Sequence, residues 1–229
     1  MLPSQTVENY LKTIYLEQSA VGMAPDALVP MGRLSGALGV VPGTATTMMK
    51  TLAESGLVHY EPYMGVRLTP AGEKLAGLVL RRHRLIELFL VEVLGMNWSE
   101  VHDEAEQLEH AVSERLVERI DDMLGRPQVD PHGDPIPTAE GTIARPRYLN
   151  LATADLGTPL VVARVIDQDP SFLTFVEAHE LMPGRAVTIE VRDPASDSVE
   201  VVTDSGRRTT LGMRAASKLL VEAAGGHRD

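Results

Sequence analysis

The chain has no cysteine among its 229 residues. This absence excludes disulfide bonds and thiolate-ligated metal sites, and it fits a reducing cytoplasm. Residues 1–6 lack the basic region and the apolar run that begin a signal peptide. The most apolar segment, residues 85–94, is interrupted by Glu87 and Glu92 and is too short to span a bilayer. We therefore expect a cytoplasmic protein that does not enter a membrane.

Several motifs of common enzymes are also missing. The chain contains no His-Glu-x-x-His of the zinc hydrolases, no Gly-rich phosphate loop and no Gly-x-Ser-x-Gly nucleophile elbow. No further general base or nucleophile stands out beside the histidines and carboxylates described below. These absences favour a protein that is not an enzyme.

The net charge of −11 is concentrated in the middle of the chain. Residues 75–140 carry 6 Lys/Arg and 14 Asp/Glu, whereas residues 1–74 carry 5 and 6, and residues 141–229 carry 10 and 12. A bound divalent cation would relieve part of the repulsion in the middle segment. The alternative is an acidic helix face that only keeps the protein soluble.

Residues 1–74 show the pattern of helices followed by a hairpin. Helices are predicted from a cap at Ser4 or Thr6 to residue 16, near 31–38, and from Pro42 to about 55, with a Gly- and Pro-rich loop at 21–29. Two short β-prone runs follow at 57–60 and 66–69. This order is typical of a winged helix-turn-helix.

The rest of the chain changes from helix to strand. Two long helices are predicted over 70–124, with a break at 95–99 and Ser99 as the N-cap of the second. Residues 125–147 contain five prolines and predict a linker or an extended strap. Strands near 160–166, 186–191, 199–203 and 209–211, with a short helix at 171–178, predict a small β-barrel. The fold class is therefore mainly α with a smaller β part.

Potential metal ligands cluster on two predicted helix faces. Six residues form this set: His83, Glu87, His102, Glu106, Glu109 and His110. In a helix the last four share a sector about 100° wide, and the first two lie one turn apart. Imidazoles and carboxylates suit a borderline or hard divalent cation, so we predict a metal site. The spacing does not show which residues share an ion, and the alternatives are a solvated acidic face and, for the first pair, a surface ion pair flanked by arginines.

The third predicted helix is the candidate DNA-recognition helix, because its first turns are small and hydroxylated. The candidate contacts are Pro42, Gly43, Thr44, Thr46, Thr47, Lys50 and, on the wing, Arg67, with Ala45 as a further apolar contact. A helix N-terminus approaches phosphates and hydroxyls reach base edges, whereas the alternative is a merely well-capped helix. Five Lys/Arg in 74 residues make a weak basic surface. Binding is therefore expected to depend on a correctly spaced dimer.

At these residues the chain resembles the diphtheria toxin repressor family of metal-dependent transcriptional regulators, and most of all its manganese-responsive branch. The resemblance is carried by Tyr-Leu-Lys-Thr-Ile-Tyr at 10–15, Arg-His-Arg-Leu-Ile-Glu at 82–87, the segment 101–110, and Asp-Pro-His-Gly-Asp-Pro-Ile-Pro at 130–137. It implies a winged helix-turn-helix DNA-binding domain at 1–74, a helical metal-binding and dimerisation domain at 75–140, and an SH3-like (FeoA-like) β-barrel at 150–229.

The resemblance also implies up to two metal sites per subunit. The first is expected to use His83, Glu87 and His102, with Asp167 or Asp169 from the SH3-like domain. The second is expected to use Glu106, Glu109 and His110, with a side chain of the first helix. Asn9 stands at that helix position, where relatives carry Met or Asp, and Glu8 is its neighbour. Because a glutamate replaces the cysteine of the iron-responsive branch at position 106, Mn²⁺ is preferred, although Fe²⁺ and Co²⁺ compete.

The function implied is that of a metal-activated homodimeric repressor controlling metal-ion homeostasis. An ion held between the first helix and the middle domain would favour the DNA-competent conformer. Two recognition helices about 34–36 Å apart would then match a palindromic operator. The helices at 75–95 and 100–124 are the expected dimer surface. Two alternatives remain at this point: a carboxylate/histidine metalloenzyme, and a winged-helix regulator that senses an organic ligand.

Overall fold

The computed structural model describes residues 4–19 and 27–225, so most of the predicted loop at 21–29 lies outside the described residues. The chain forms two compact units: Met1–His83 with Ile136–Ala144, and Arg84–Pro135 with Arg145–Asp229. The division falls inside one continuous helix, directly after His83. The residue ranges of the three domains inferred from the sequence, 1–74, 75–140 and 150–229, stay a prediction.

The first unit contains three short helices, a hairpin and the start of a long helix. These are α1 Gln5–Gln18, α2 Met31–Ala37, α3 Pro42–Glu54, β1 Val58–Glu61, β2 Gly65–Leu68 and α4 Pro70–Glu92. The Ser4 hydroxyl caps α1 by accepting from the Val7 amide, and Pro42 occupies the first turn of α3. The order confirms the predicted winged helix-turn-helix.

The hairpin is fastened to the core of this unit through Val66. This residue exchanges two backbone hydrogen bonds with Val29, of 2.8 and 3.0 Å, and both side chains are fully buried beside Leu11 and Met49. A Cβ at Gly65 would lie 2.4 Å from the Val29 carbonyl oxygen, and Gly65 has a φ of 146°. Only glycine allows this close approach, so the hairpin has one defined position in the unit.

Among the described residues, the second unit combines the rest of α4 with four short helices and an antiparallel sheet. The further elements are α5 Val101–Leu108, α6 Glu114–Met123, β3 Leu149–Asn150, β4 Pro159–Val165, α7 Pro170–Ala178, β5 Ala186–Asp193, β6 Ser198–Thr203, β7 Arg208–Gly212, α8 Met213–Ala216 and β8 Leu219–Ala223. The strand order is β3-β8-β4-β5-β6-β7. Alternate residues such as Val162, Ile189 and Val201 form its core. The sequence patterns did not predict β3, α8 and β8, which are short.

The predicted second long helix at 100–124 is wrong, because the chain breaks between α5 and α6. The Ser113 hydroxyl accepts from the Leu116 amide at 3.3 Å and so begins a new helix. Ser99 is not the N-cap of α5, since Glu100 occupies that position and Ser99 hydrogen-bonds to the Asn97 side chain. Among the described residues no helix, α4 included, is long and apolar enough to cross a membrane.

The proline-rich segment before residue 136 is a packed strap and not a loose linker. Asp130, His132 and Asp134 are all buried. The Asp130 carboxylate accepts from the backbone amides of His132 and Asp134, at 2.8 and 2.9 Å, and so holds the turn closed. The Val165 amide of β4 donates to the His132 carbonyl at 2.8 Å. We call residues 130–135 the strap.

Candidate metal centre

Glu87 belongs to two groups of potential metal ligands. Among the described residues, ligand atoms of His83, Glu87 and His102 lie within 4.8 Å of one another, and so do those of Glu87, Asp130 and His132. His83 precedes Glu87 by one turn of α4, so the helix fixes their spacing. The Glu87 side chain is 1% exposed, and its Oε1 lies 3.2 Å from His102 Nδ1. The fold thus surrounds one buried carboxylate with four further nitrogen or oxygen donors.

His132 is held in the orientation of a metal ligand. Its Nε2 lies 3.0 Å from the Trp98 carbonyl oxygen, which only accepts, so Nε2 carries the proton. In the neutral ring the lone pair is therefore on Nδ1, which has no hydrogen-bond partner among the described residues. Nδ1 lies 3.9 Å from Glu87 Oε2 and 3.9 Å from Asp130 Oδ1. Histidines that bind metals commonly donate the other ring N–H to a carbonyl in this way.

The electrostatics of this cluster favour a cation. Burial raises the pKa of Asp130 well above its usual value, and the charges of Asp134 and Glu87 raise it further, against the guanidinium of Arg84. Burial also lowers the pKa of His132. A lone pair and two carboxyl groups thus converge in a buried space in which the guanidinium of Arg84 only partly offsets the negative charge. This donor set fits a divalent cation.

Buried arginines of α4 hold the strap and α1 in place. Arg84 donates to Asp134 Oδ1 at 3.2 Å, and its Nε lies 3.7 Å from Asp130 Oδ2. In the first unit, Arg82 donates to Glu8 Oε1 at 2.7 Å. All these side chains, with His83 and Glu87, are buried. The alternative of a surface ion pair flanked by arginines is therefore wrong.

Three predicted ligands follow His102: Glu106, Glu109 and His110. In the described part of the chain they do not form a three-ligand group of their own. Glu106 Oε1 lies 3.7 Å from His102 Nε2, and its side chain is 50% exposed. Glu109 Oε1 lies 3.2 Å from His110 Nε2 and is buried. Helix α5 ends at Leu108 with Glu109 as its C-cap, still in the α-helical region with its amide donating to the Ala105 carbonyl, so only His110 lies beyond the helix. Their role as ligands stays a prediction.

The remaining candidates have other contacts in the structure. The buried Glu8 carboxylate binds Arg82, as described, whereas Asn9 is exposed on α1. The Asp167 carboxylate contacts Lys218 and accepts from the Asp169 amide. Asp169 itself caps α7 by accepting from two backbone amides. None of the three carboxylates belongs to a three-ligand group of histidines and carboxylates among the described residues, and the metal-binding role of all four residues stays a prediction.

The candidate DNA contacts lie mostly on the outside of α3. Those that are exposed are Pro42, Gly43, Thr44, Thr47 and Lys50, while Thr46 and Arg67 are half-buried. The Thr46 and Thr47 hydroxyls donate to carbonyls one turn back, at 2.9 and 3.0 Å, so their oxygens remain as acceptors. Ala45 is fully buried in the core, which corrects its expected contact with DNA.

Sequence comparison assigns the chain to a family. Residues 3–66 match the iron dependent repressor N-terminal DNA binding domain, residues 69–138 match the iron dependent repressor metal binding and dimerisation domain, and residues 149–223 match the FeoA domain. The chain is similar to the iron-dependent repressor IdeR of Mycobacterium tuberculosis, with 30% identity over 95% of this chain and 96% of the relative. The chain belongs to the diphtheria toxin repressor family.

Solved structures of the same family are also similar. One, a manganese-dependent transcriptional repressor in complex with manganese, has a TM-score of 0.86 and 39% identity over 95% of this chain and 100% of that chain. Another, ScaR with bound Zn²⁺, has a TM-score of 0.78 and 33% identity over 97% of this chain and 100% of that chain. These similarities confirm the fold class, including the SH3-like FeoA domain.

As a member of the diphtheria toxin repressor family, this chain is a metal-dependent transcriptional repressor. It binds DNA through its winged helix-turn-helix, dimerises through its helical domain and binds divalent metal. Because the family consists of repressors, the metalloenzyme alternative is set aside.

Sequence reasoning missed Asp130 and His132 as potential ligands. Both stand in the motif at 130–137, which was used only to support the family resemblance. The signal was a histidine and an aspartate two residues apart in a segment rich in Pro and Gly. Nothing in local spacing shows that this segment reaches Glu87, since its position depends on Arg84 and β4.

Proposed function

We propose that this repressor responds to Mn²⁺ and controls metal-ion homeostasis by binding a palindromic operator as a homodimer. The observation that supports it most is the Glu87 cluster, which offers only imidazole nitrogens and carboxylate oxygens. Such donors suit Mn²⁺, and the absence of cysteine removes the soft ligand that favours other metals. The similar solved repressor is named as manganese-dependent, although IdeR is named as iron-dependent. Fe²⁺ and Co²⁺ are therefore the competitors.

We place up to two ions in each subunit. The first is held at Glu87, with His83 and His102 from the helices and Asp167 or Asp169 from the SH3-like domain. Asp130 and His132 of the strap are its further donors. The second is held by Glu106, Glu109 and His110, with Asn9 or Glu8 of α1 as the further ligand. When bound, the first ion would add positive charge beside buried carboxyl groups whose repulsion Arg84 only partly offsets.

Helix α4 connects the Glu87 cluster to the first unit, which contains the winged helix-turn-helix. Within the second unit, Arg84 holds the strap, and Glu87 faces His102 of α5. Within the first unit, Arg82 of the same helix binds Glu8 of α1 through a buried ion pair. A cation that binds one arrangement of these groups more tightly favours that conformer. DNA must then tighten metal binding by the same factor.

Fluorescence anisotropy with a labelled promoter fragment upstream of the protein's own gene tests this function. Protein is titrated at fixed ionic strength in chelator, in Mn²⁺, in anaerobic Fe²⁺, in Co²⁺ and in Zn²⁺. We expect tight binding with metal, the strongest at low concentrations of Mn²⁺, and weak binding in chelator. Equal binding in chelator would contradict metal activation, and a response to Fe²⁺ alone would contradict the manganese preference.

Replacing Glu106 or His110 by alanine should abolish metal-stimulated DNA binding without unfolding the protein. Loss of a direct ligand should weaken Mn²⁺ binding by at least the roughly 10–100-fold that changes in residues around the ligands cost. Calorimetry and operator anisotropy measure the two effects, and circular dichroism checks the fold. Glu104→Ala is the matched control, because Glu104 is exposed on the same helix. Operator affinity in saturating Mn²⁺ that survives both changes would rule out the second site.

Mn²⁺ affinity should fall as the pH falls. Burial raises the pKa of Asp130, so below that raised pKa this carboxyl holds a proton that the metal must displace. Above it, Asp130 is already a carboxylate and no displacement is needed. Calorimetry at about pH 6 and about pH 8, in two buffers of different ionisation enthalpy, measures affinity and released protons. Asp130→Asn should release fewer protons than the wild type, because the histidine ligands still release theirs; equal release by the two proteins would mean that Asp130 is not a ligand.

A further inference from the structure

The turn between β1 and β2 has features that the fold of the unit does not explain. We call Pro62, Tyr63 and Met64 the wing tip. Tyr63 has a φ of 67°, in the left-handed region that side chains with a Cβ disfavour. Glycine, asparagine and aspartate are the usual residues in such turns. A tyrosine at this position therefore costs conformational free energy.

Folding does not repay that cost. The Tyr63 side chain is 103% exposed and that of Met64 is 65% exposed, so neither is buried in the core of the unit. Large exposed apolar side chains next to each other mark a surface for interaction, and strained residues of this kind are characteristic of functional sites. A contact with a partner molecule would use the side chain that folding leaves exposed.

DNA is the partner that the surroundings indicate. The wing tip falls within residues 3–66, which match the DNA-binding domain of the family. The first 74 residues carry 5 Lys/Arg and 6 Asp/Glu, so attraction to phosphates is weak. Methionine and proline are side chains that wedge between base steps in the minor groove. The tyrosine hydroxyl can also donate to the acceptors exposed in that groove.

The hairpin presents the wing tip on a rigid support. Glu61 pairs with Gly65 and Tyr60 with Val66 across the two strands, directly below the turn. The two backbone hydrogen bonds to Val29 and the close approach at Gly65 hold the second strand. The turn therefore loses little conformational freedom when it binds a partner, and this favours a strong contact.

We propose that Tyr63 and Met64 enter the minor groove of the operator and supply affinity that a basic surface supplies in other DNA-binding domains. The proposal rests on DNA binding by this family and is independent of which metal activates the protein. It assigns to the wing a contact that is apolar and aromatic, whereas the candidates on α3 and Arg67 are polar or basic.

The test uses the full-length protein with Mn²⁺ and the labelled promoter duplex. Tyr63→Gly removes the side chain and relieves the strained φ, so its melting temperature should equal or exceed that of the wild type. Its operator affinity should fall about tenfold, the loss expected when one important aromatic contact is truncated. The salt dependence of binding should stay unchanged, because no ionic contact is lost. Leu149→Ala, which removes another exposed side chain in the other unit, should change neither the operator affinity nor its salt dependence.

A second arm identifies the groove. Inosine in place of guanine removes only the minor-groove amino group and leaves the major-groove edge intact. Substitution along the flanks of the operator should change the affinity of the wild type more than that of Tyr63→Gly. Equal operator affinity of the two proteins would overturn the proposal, and so would an identical response of both to inosine. If the wild type does not bind the duplex in Mn²⁺, the repressor function itself fails, and this proposal with it.

Discussion

Replacing Glu87 by glutamine should remove the metal response of this repressor. Mn²⁺ affinity is expected to fall by about 100-fold or more, because this carboxylate is shared by both three-ligand groups and losing a ligand exceeds the cost of changing its neighbours. Operator binding in Mn²⁺ should then equal binding in chelator. Glutamine keeps the size of the side chain and a carbonyl oxygen, but it lacks the charge that a hard cation requires.

The metal-free variant should remain folded. Glu87 is 1% exposed and faces the raised-pKa carboxyl of Asp130, so removing its charge relieves repulsion in the cluster. We expect the melting temperature in chelator to be unchanged or higher, while the stabilisation that Mn²⁺ gives to the wild type is lost. Calorimetry measures the Mn²⁺ affinity, anisotropy measures operator binding, and thermal unfolding measures the melting temperature.

Glu92→Gln is the matched control for this experiment. Glu92 lies at the end of the same helix, is exposed and belongs to neither ligand group among the described residues. It should bind Mn²⁺ and the operator like the wild type. A Glu87→Gln protein that keeps wild-type Mn²⁺ affinity would show that the buried cluster is not the metal site.

Gly133→Ala should strongly destabilise the second unit. Gly133 has a φ of 85°, and a Cβ there would lie 2.0 Å from the Ala163 carbonyl oxygen and 2.8 Å from the Arg164 Cα. Both atoms belong to the backbone of β4, so no flexible side chain can move away. The strap has to leave β4, which breaks the hydrogen bond from the Val165 amide to the His132 carbonyl. We expect a loss of about 3–5 kcal/mol in the free energy of unfolding, the range of severe backbone and packing changes.

Gly125→Ala separates the steric contact from the backbone strain. Gly125 also has a positive φ, of 77°, but a Cβ there meets nothing within 4 Å. It should lose only the roughly 1 kcal/mol that a left-handed conformation costs an L-residue. Denaturant unfolding and Mn²⁺ calorimetry compare the two variants, and only Gly133→Ala should also lose Mn²⁺ affinity. Equal losses in both would mean that the strap does not need its close approach to β4.

Patterns within the sequence were sufficient for the elements that depend on neighbouring residues. The winged helix-turn-helix could be predicted because caps, Pro42 at a helix start and alternating apolar residues act over a few positions. The one-turn spacing of His83 and Glu87 is of the same kind, since a helix brings such residues together whatever surrounds it.

The same local rules failed where two helices meet. Residues 100–124 have an apolar period that continues through the break between α5 and α6. The cap at Ser113 ends that continuity, and a serine inside a helical pattern is too common to mark a boundary by itself. His110 lies in that break, directly after Glu109, the C-cap of α5.

Tertiary packing alone brought the strap to Glu87. The sequence shows Asp130 and His132 in a segment of prolines and glycines, but their distance from Glu87 depends on Arg84, on the backbone of β4 and on the carbonyl of Trp98. Packing likewise brought Glu8 and Arg82 together as a buried ion pair and buried Ala45 in the core. Contacts between distant segments depend on shape and on shared burial, and periodicity carries no information about either. The residue types of the metal centre could therefore be known from the sequence, whereas their assembly around one buried carboxylate required the folded chain.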